Sequence, residues 1–400
     1  MKKICAIASL LYIGILPVYA QSSVTLYGIA DASVQYINNI AVAQGTGAAS
    51  KPISYANESR TGFYSGGVWP SRWGLKGTED LGRGLSAIFQ LENGFGIGTG
   101  AFSSAGTEFN RQAFVGLSSS RFGTVTMGRQ YDAISDLLYV YGAANYTGSS
   151  GTYAGDVSNF DLNIRVNNSI KYKTPNYLGI TGEVLYGFGG VAGSLNSGST
   201  LSTGVSYDSG SVMAGLAYLR MDNSTSNANT WTSSADSLFT STVNPGYVSA
   251  HTVQIADAVV SYHSGAWIVG ANYGYTQYRP STGSRFTQLE AFNSAGVGIK
   301  YSVRPAFSLA AAYAYTRGQS VNGTASSPQY QSVSARATYS LSKTTVLYCL
   351  AGYNHAKGST LDQYENIIPA TATIGDSSNY GSPSASGNQT LVRIGMFHMF

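Results

Sequence analysis

Charge is scarce in this chain of 400 residues: Lys, Arg, Asp and Glu together make up 10%, against about 25% in soluble globular domains. The net charge is +4, or +2 once Lys2 and Lys3 leave with an N-terminal leader (4 − 2), and no basic run exists. That is too little for a nucleic-acid footprint, so no nucleic-acid partner is expected. Cysteine occurs twice. Cys5 falls in the leader, which leaves Cys349 alone and excludes an intrachain disulfide. Histidine occurs four times, at His251, His263, His355 and His398. None adjoins a Ser or Cys in a nucleophile motif, there is no G-x-S-x-G, and no His/Cys/carboxylate spacing suits zinc. Neither an enzyme, nor a metal, nor a cofactor is expected. Gly187-Phe-Gly189-Gly-Val-Ala192 matches a degenerate dinucleotide fingerprint, but it opens a Gly/Ser-rich loop instead of a helix. No stretch after residue 20 supplies the roughly 20 consecutive apolar residues of a membrane helix.

Glycine (48) and tyrosine (30) are abundant instead. Residues 1–20 read as an export signal: Lys2-Lys3, an apolar run from Ile4 to Leu16, then Val18-Tyr19-Ala20 with small residues at −3 and −1. Cleavage there leaves Gln21 first. From Ser23 onward the pattern is period two. Val24, Leu26, Ala30, Ala32, Val34 and Tyr36 share one face, and Thr25, Asp31, Ser33 and Gln35 share the other, with Ile29 the exception. Such alternation suits a strand with lipid on one side and water on the other. The same reading predicts sixteen strands: 23–37, 60–77, 85–95, 109–117, 123–130, 163–173, 180–189, 200–207, 212–220, 251–262, 266–276, 293–303, 307–316, 329–340, 345–354 and 389–400.

The connections sort by length. Short gaps rich in Gly, Pro, Asp and Ser alternate with long polar ones, the longest being 38–59, 131–162, 221–250 and 355–388. A closed membrane barrel produces this asymmetry, because turns on one rim are tight while loops on the other grow. The expected fold is all-β: one 16-stranded antiparallel transmembrane barrel over residues 21–400. Closure pairs every backbone N–H and C=O without a disulfide. Aromatics near strand ends, such as Tyr275 and Tyr278 or Phe397 and Phe400, fit interfacial girdles.

Charges inside spanning strands should face the lumen, since each would cost roughly 2–4 kcal/mol against lipid near the midplane. Arg165, Lys171 and Lys173 share a face, opposite Val166, Ile170 and Tyr172; Arg72 and Lys76 lie opposite Trp73 and Leu75. Asp31, Glu92 and Glu183 have the same inward parity. These charges either solvate a water-filled interior or set the field that an ion crosses. Arg111 opens a strand with no clean polar face, and Arg129 shares the parity of Val125 and Met127.

Several segments resemble the general porins of Gram-negative β-proteobacteria, the Neisseria/Comamonas/Burkholderia type. They are Ser23-Val-Thr-Leu-Tyr-Gly-Ile-Ala-Asp31, Ser71-Arg-Trp-Gly-Leu-Lys76, Asn110-Arg-Gln-Ala-Phe-Val-Gly-Leu117, Phe122-Gly-Thr-Val-Thr-Met-Gly-Arg-Gln-Tyr131, Asn168-Ser-Ile-Lys-Tyr-Lys-Thr-Pro175 and the strand ending at Phe400. The resemblance implies a homotrimer in the outer membrane with one pore per subunit, in contact with lipid and lipopolysaccharide. It implies passive diffusion of ions and small hydrophilic solutes. Its third outer loop, here 131–162 with Asp132, Asp136, Asp156 and Asp161, would fold inward as an acidic constriction. Facing it, Arg72, Arg111 and Arg165 would form a basic wall with Glu92 close by, and Asp31, Lys76, Lys171 and Lys173 would line the pore. Phe400 would be the signal read by the barrel-assembly machinery. Inward Arg and Lys outnumber inward Asp and Glu, so weak to moderate anion preference is expected. The alternative is a substrate-specific channel for sugars or small carboxylates.

Overall fold

The computed structural model describes residues 22–44, 54–148, 153–225, 230–239, 241–374 and 383–400; the predicted leader lies outside them. Seventeen hydrogen-bonded segments form one closed antiparallel sheet. They are β1 (Ser23–Gln44), β2 (Ser54–Ser65), β3 (Arg72–Gly82), β4 (Leu85–Gly94), β5 (Gln112–Ser119), β6 (Gly123–Tyr131), β7 (Arg165–Lys173) and β8 (Ile180–Gly187), followed by β9 (Thr200–Asp208), β10 (Val212–Asp222), β11 (Thr252–Ser264), β12 (Trp267–Arg279), β13 (Glu290–Arg304), β14 (Phe307–Arg317), β15 (Gln329–Ser340), β16 (Thr345–Lys357) and, after the small hairpin β17 (Ser359–Leu361) and β18 (Ile367–Pro369), β19 (Asn388–Met399). β2 and β3 both pair with β1, along Ala32–Gln44 and Ser23–Ile29 respectively, so they are halves of one broken strand and the barrel has sixteen. β1 against β19 closes the cylinder, with Ile29 opposite Met399 and Ile37 opposite Leu391. No helix among the described residues is long and apolar enough to cross a membrane.

Alternation holds through most of the wall. Val24, Leu26, Val34 and Tyr36 are exposed on the outer surface, while Asp31, Ser33 and Gln35 are buried inside. Ile29 packs with Trp69 and Met399 against a buried cluster that includes Ile37, Val68, Tyr348 and Phe397, which explains its exceptional parity. Exposed aromatics collect at the short-turn rim: Phe122, Tyr172, Tyr207, Tyr262, Trp267, Tyr339 and Phe400. There the tyrosines and the tryptophan keep an apolar ring and a polar tip both satisfied; Tyr278 and Phe397, expected in a girdle, are instead buried.

The predicted strand 60–77 is interrupted where the chain dips inward between β2 and β3. Gly66 has φ +77°, a left-handed conformation that glycine adopts without strain. A side chain on Gly67 would collide with the Tyr348 hydroxyl and the Arg393 stem. Asp31 holds the dip, accepting the Val68 and Trp69 amides at 2.8 Å each and the Tyr348 hydroxyl at 2.6 Å. Asp31 therefore faces the interior but is fully buried, and it braces the wall instead of lining the pore. The predicted loop 38–59 also shrinks, because β1 and β2 continue as a hairpin beyond a bulge between Ile37 and Ile40.

Candidate functional site: the pore constriction

The segment 132–164, between β6 and β7, enters the barrel because its apolar side chains need cover. Ile134, Leu137, Leu138, Tyr153, Val157, Phe160 and Ile164 are all buried, each worth roughly 1.5–3 kcal/mol when removed from water. The inner wall makes room with small residues: Leu137 reaches within 3.1 Å of where a Gly204 side chain would stand, and Leu138 packs over Gly215. Hydrogen bonds carry the segment round the wall. The Ala133 amide binds Ser202 Oγ at 3.0 Å, Tyr146 meets Ser261 at 2.9 Å, Thr276 Oγ1 donates to Val157 O at 2.7 Å and Thr147 meets Ser334 at 2.6 Å. The segment thus covers the β9–β15 side and leaves space beside β3–β7.

That space is a cavity of about 530 Å³, lined by Arg72, Arg111, Arg129 and Arg165 together with Tyr139, Asp161, Asn163 and Asp236. The guanidinium of Arg72 lies 6.0 Å from the Trp69 ring, and those of Arg111 and Arg165 lie 5.9 and 5.1 Å from the Tyr131 ring. Arg111 Nε donates to Glu92 Oε1 at 2.6 Å, and Glu92 also accepts the Tyr27 hydroxyl at 2.9 Å. Arg165 donates to Asn163 O and Tyr131 Oη at 3.1 and 3.2 Å. Its Nε, buried, has no partner among the described residues. The three arginines expected on the basic wall are therefore together, with Glu92 behind Arg111.

Alternation turns Arg72 and Arg165 inward but gives no direction to Arg111, and the chain is irregular at both Arg111 and Arg165. Arg111 precedes β5 and so escapes strand parity. Arg165 lies beyond an irregularity: Asn168 has φ +49°, and the β6–β7 register shifts between Gly128 and Gln130. The same bulge turns Val166, expected to face lipid with Ile170, into full burial, with an isolated bridge to Ala235. It also brings in Arg129, which alternation placed outside. Arg129 forms a bidentate pair with Asp236 at 2.9 and 2.7 Å and donates to Asn167 at 2.6 Å. Gly128, at φ +141° and pressed against the Ala113 carbonyl, is the sequence signal for this bulge. Nothing in the sequence marks Asp236. It belongs to the long segment 223–251, which folds inward too, through Asn167 N–Ser234 O (2.7 Å) and Asp236 N–Arg165 O (3.0 Å).

The expected acidic loop is corrected in part. Asp161 lines the cavity, but Asp132 is fully buried, accepting the Ser135 amide at 2.9 Å and Asn159 Nδ2 at 2.6 Å. Burial raises the Asp132 carboxyl to about 7. Asp136 pairs with Lys171, which also donates to Tyr131 O at 3.2 Å and stands 3.9 Å from Glu183. Both aspartates sit at the root of the segment, beside β7, so they meet the wall before the lumen. Lys171 is correspondingly buried and does not line open water. Lys173 stays half-exposed opposite Glu183, and Lys76 is exposed, 5.4 Å from the Tyr27 ring. Phe400 is exposed, its backbone paired to Gly28 at 2.9 and 3.1 Å. Among the described residues no group of three or more His, Cys, Asp or Glu side chains could hold a metal ion.

A closed sixteen-stranded barrel with an apolar outer wall, a segment folded to its waist and a charged opening left beside it is a diffusion channel. Residues 16–359 match the family model described as Gram-negative porin. An outer membrane porin protein of Bordetella pertussis is 30% identical over 88% of this chain and 94% of its own length. Outer membrane porin protein 32 of Delftia acidovorans is 37% identical over 49% and 54%. Among solved structures, an anion-selective porin from Comamonas acidovorans superposes with a TM-score of 0.67 at 24% identity, covering 95% of this chain and all of that one. The chain belongs to the Gram-negative porin family. It is a non-enzymatic, outer-membrane pore through which ions and small hydrophilic solutes diffuse passively.

Proposed function

We propose that this porin prefers anions, weakly to moderately, and that Arg72, Arg111, Arg129 and Arg165 set the preference. The carrying observation is the charge around the cavity: four arginines against Asp161, Asp236 and the more remote Glu92 give +1 (4 − 3). Fixed charge in a narrow passage with low-dielectric walls concentrates the opposite ion. The porin from Comamonas acidovorans is anion-selective, which supports the same reading. The mature chain is one domain from residue 21, after a cleaved signal of residues 1–20. It assembles as a homotrimer; a solved neighbour, OmpT of Vibrio cholerae, is described in a trimer form. Phe400 is the residue presented to the barrel-assembly machinery, and outer-membrane lipid with lipopolysaccharide surrounds the apolar wall. Lys76, within β3, and Lys173, at the short-turn end of β7, line the lumen.

Planar-bilayer recording tests this directly. Conductance should rise in steps of three, and the reversal potential in a KCl gradient should favour chloride. Clear potassium preference overturns the proposal. Arg72→Glu with Arg165→Glu should lower or invert the preference; an unchanged value removes the cluster from the constriction. The unpartnered Arg165 Nε also favours a second reading, a channel with affinity for small carboxylates, which block of single-channel current at low carboxylate concentration would support.

A further inference from the structure

Behind the inward segment, on the wall that it covers, lies a polar site separate from the aperture. Asp257 stands on the lumen face of β11 between Ile255 and Val259, both buried. Its cross-strand neighbours are Ala217 on β10 and Gly274 on β12, so the surroundings of the carboxylate are small and apolar. The segment 132–164 seals it. Asp257 is 4% exposed, and Ser158, seated over Gly274, is wholly buried. Thr276, the next lumen-facing residue of β12, holds that placement by donating to Val157 O at 2.7 Å.

Both Asp257 carboxylate oxygens and Ser158 Oγ lack a hydrogen-bond partner among the described residues. Two of these atoms flank Gly274: the point where its side chain would begin lies 2.4 Å from Asp257 Oδ1 and 2.7 Å from Ser158 Oγ. The oxygens face each other across a gap too wide for a hydrogen bond, yet short enough for one small ion or water to touch both.

Electrostatics discriminates among the occupants. Asp132 and Asp156 of the inward segment are near enough for their charges to act on Asp257, and no described cation joins them. Lys171 is committed to Asp136 and Glu183. A proton would neutralise Asp257 but leave its O–H without an acceptor. Water would bridge the oxygens and leave a buried charge uncompensated. A cation meets both needs. Calcium takes roughly 6–8 oxygens, commonly from several carboxylates. Here the other two carboxylates are engaged elsewhere, Asp132 by the Ser135 amide and Asn159 Nδ2, Asp156 by the Asp161 amide and Asn163 Nδ2.

We propose that Asp257 and Ser158 bind a monovalent alkali cation behind the constriction segment, through Asp257 Oδ1 and Ser158 Oγ, and that the ion ties this segment to β11 and β12. The ion is structural and not in transit, because Asp257 and Ser158 are buried while Asp161 and Asn163 of the same segment line the aperture. The site does not depend on the anion preference proposed above.

Anomalous diffraction from crystals of the purified porin soaked in thallium(I) acetate reads the site directly. A peak in coordinating contact with both Asp257 and Ser158 is expected; its absence overturns the proposal. In detergent solution the thermal midpoint should rise with potassium chloride concentration and stay lower in N-methylglucamine chloride of equal ionic strength, since an ion held only by the folded barrel stabilises it by mass action. Asp257→Asn should abolish that difference. Ser158→Ala should raise the potassium concentration at half effect roughly fivefold, the worth of one polar contact. Equal midpoints in the two salts, or a difference undiminished by Asp257→Asn, overturn the site. Equal midpoints that fall together as pH rises assign Asp257 a proton instead. Should Asp257→Asn fail to fold, Ser158→Ala and the thallium peak carry the test. Reversal potentials of the same preparations report on the arginine cluster separately.

Discussion

Asp236→Asn is the sharpest probe of the constriction, because it removes one charge and little else. The asparagine keeps the shape and one acceptor for Arg129, so the 223–251 segment should stay seated by its backbone bonds to β7. The cavity's formal charge then goes from +1 to +2 (4 − 2). An ion passing at about 8 Å, in a water-filled passage of effective dielectric about 40, feels one unit charge as about 1 kcal/mol. That is roughly a fivefold change in local anion concentration unscreened. With a Debye length of about 10 Å at 0.1 M salt, the energy halves and the factor falls to about two. Potassium is depleted by the same factor, so the chloride-to-potassium permeability ratio should rise by its square, about 4- to 25-fold, more at low salt, read as a reversal-potential shift in a tenfold KCl gradient. An unchanged ratio would mean the Arg129–Asp236 pair lies off the ion path. A shift toward potassium would refute the electrostatic reasoning altogether.

Other consequences are as direct. Lys171→Met leaves Asp136 and Glu183 without their shared cation, and a broken buried pair of this kind costs about 3–5 kcal/mol; a lower urea midpoint of the folded barrel checks it. Asp31→Ala strands the Val68 and Trp69 amides and the Tyr348 hydroxyl, and should cost at least about 3 kcal/mol by the same assay. Because burial raises the Asp132 carboxyl to about 7, the folded state holds a proton the unfolded chain gives up near 4. Its contribution to stability is complete below about pH 4 and disappears as pH rises through 7. The thermal midpoint should fall between about pH 4 and 7, and Asp132→Asn should flatten that slope. Cys349 is exposed between Leu347 and Ala351 on the outer face of β16, so in proteoliposomes it should react with a lipid-soluble maleimide and resist a charged one.

The barrel is legible in the sequence because its cause is local: two solvents impose period two, and a closed ring imposes alternating connection lengths. Each place where the structure departs from that pattern breaks one of those causes. The dip at 66–71 interrupts a strand for the sake of a partner, Asp31, that is distant in sequence. The bulge at Gly128 resets the phase, so that Val166 moves inside and Arg129 joins the cavity. The family resemblance puts Asp132 and Asp136 in a facing loop but carries no direction for either side chain; burial takes the first out of solvent, and Lys171 decides where the second points. Asp236 is out of reach of any such reading, since its role comes from where a long polar segment lands.

The inward segment 132–164 has two faces with different duties. Leu137, Leu138, Val157 and Phe160 adhere to the wall, while Tyr139, Asp161 and Asn163 meet the solute stream. Substitutions on the second face leave adhesion intact, so permeability can drift under selection while folding stays constant. Filtering and architecture are thereby inherited as separable traits.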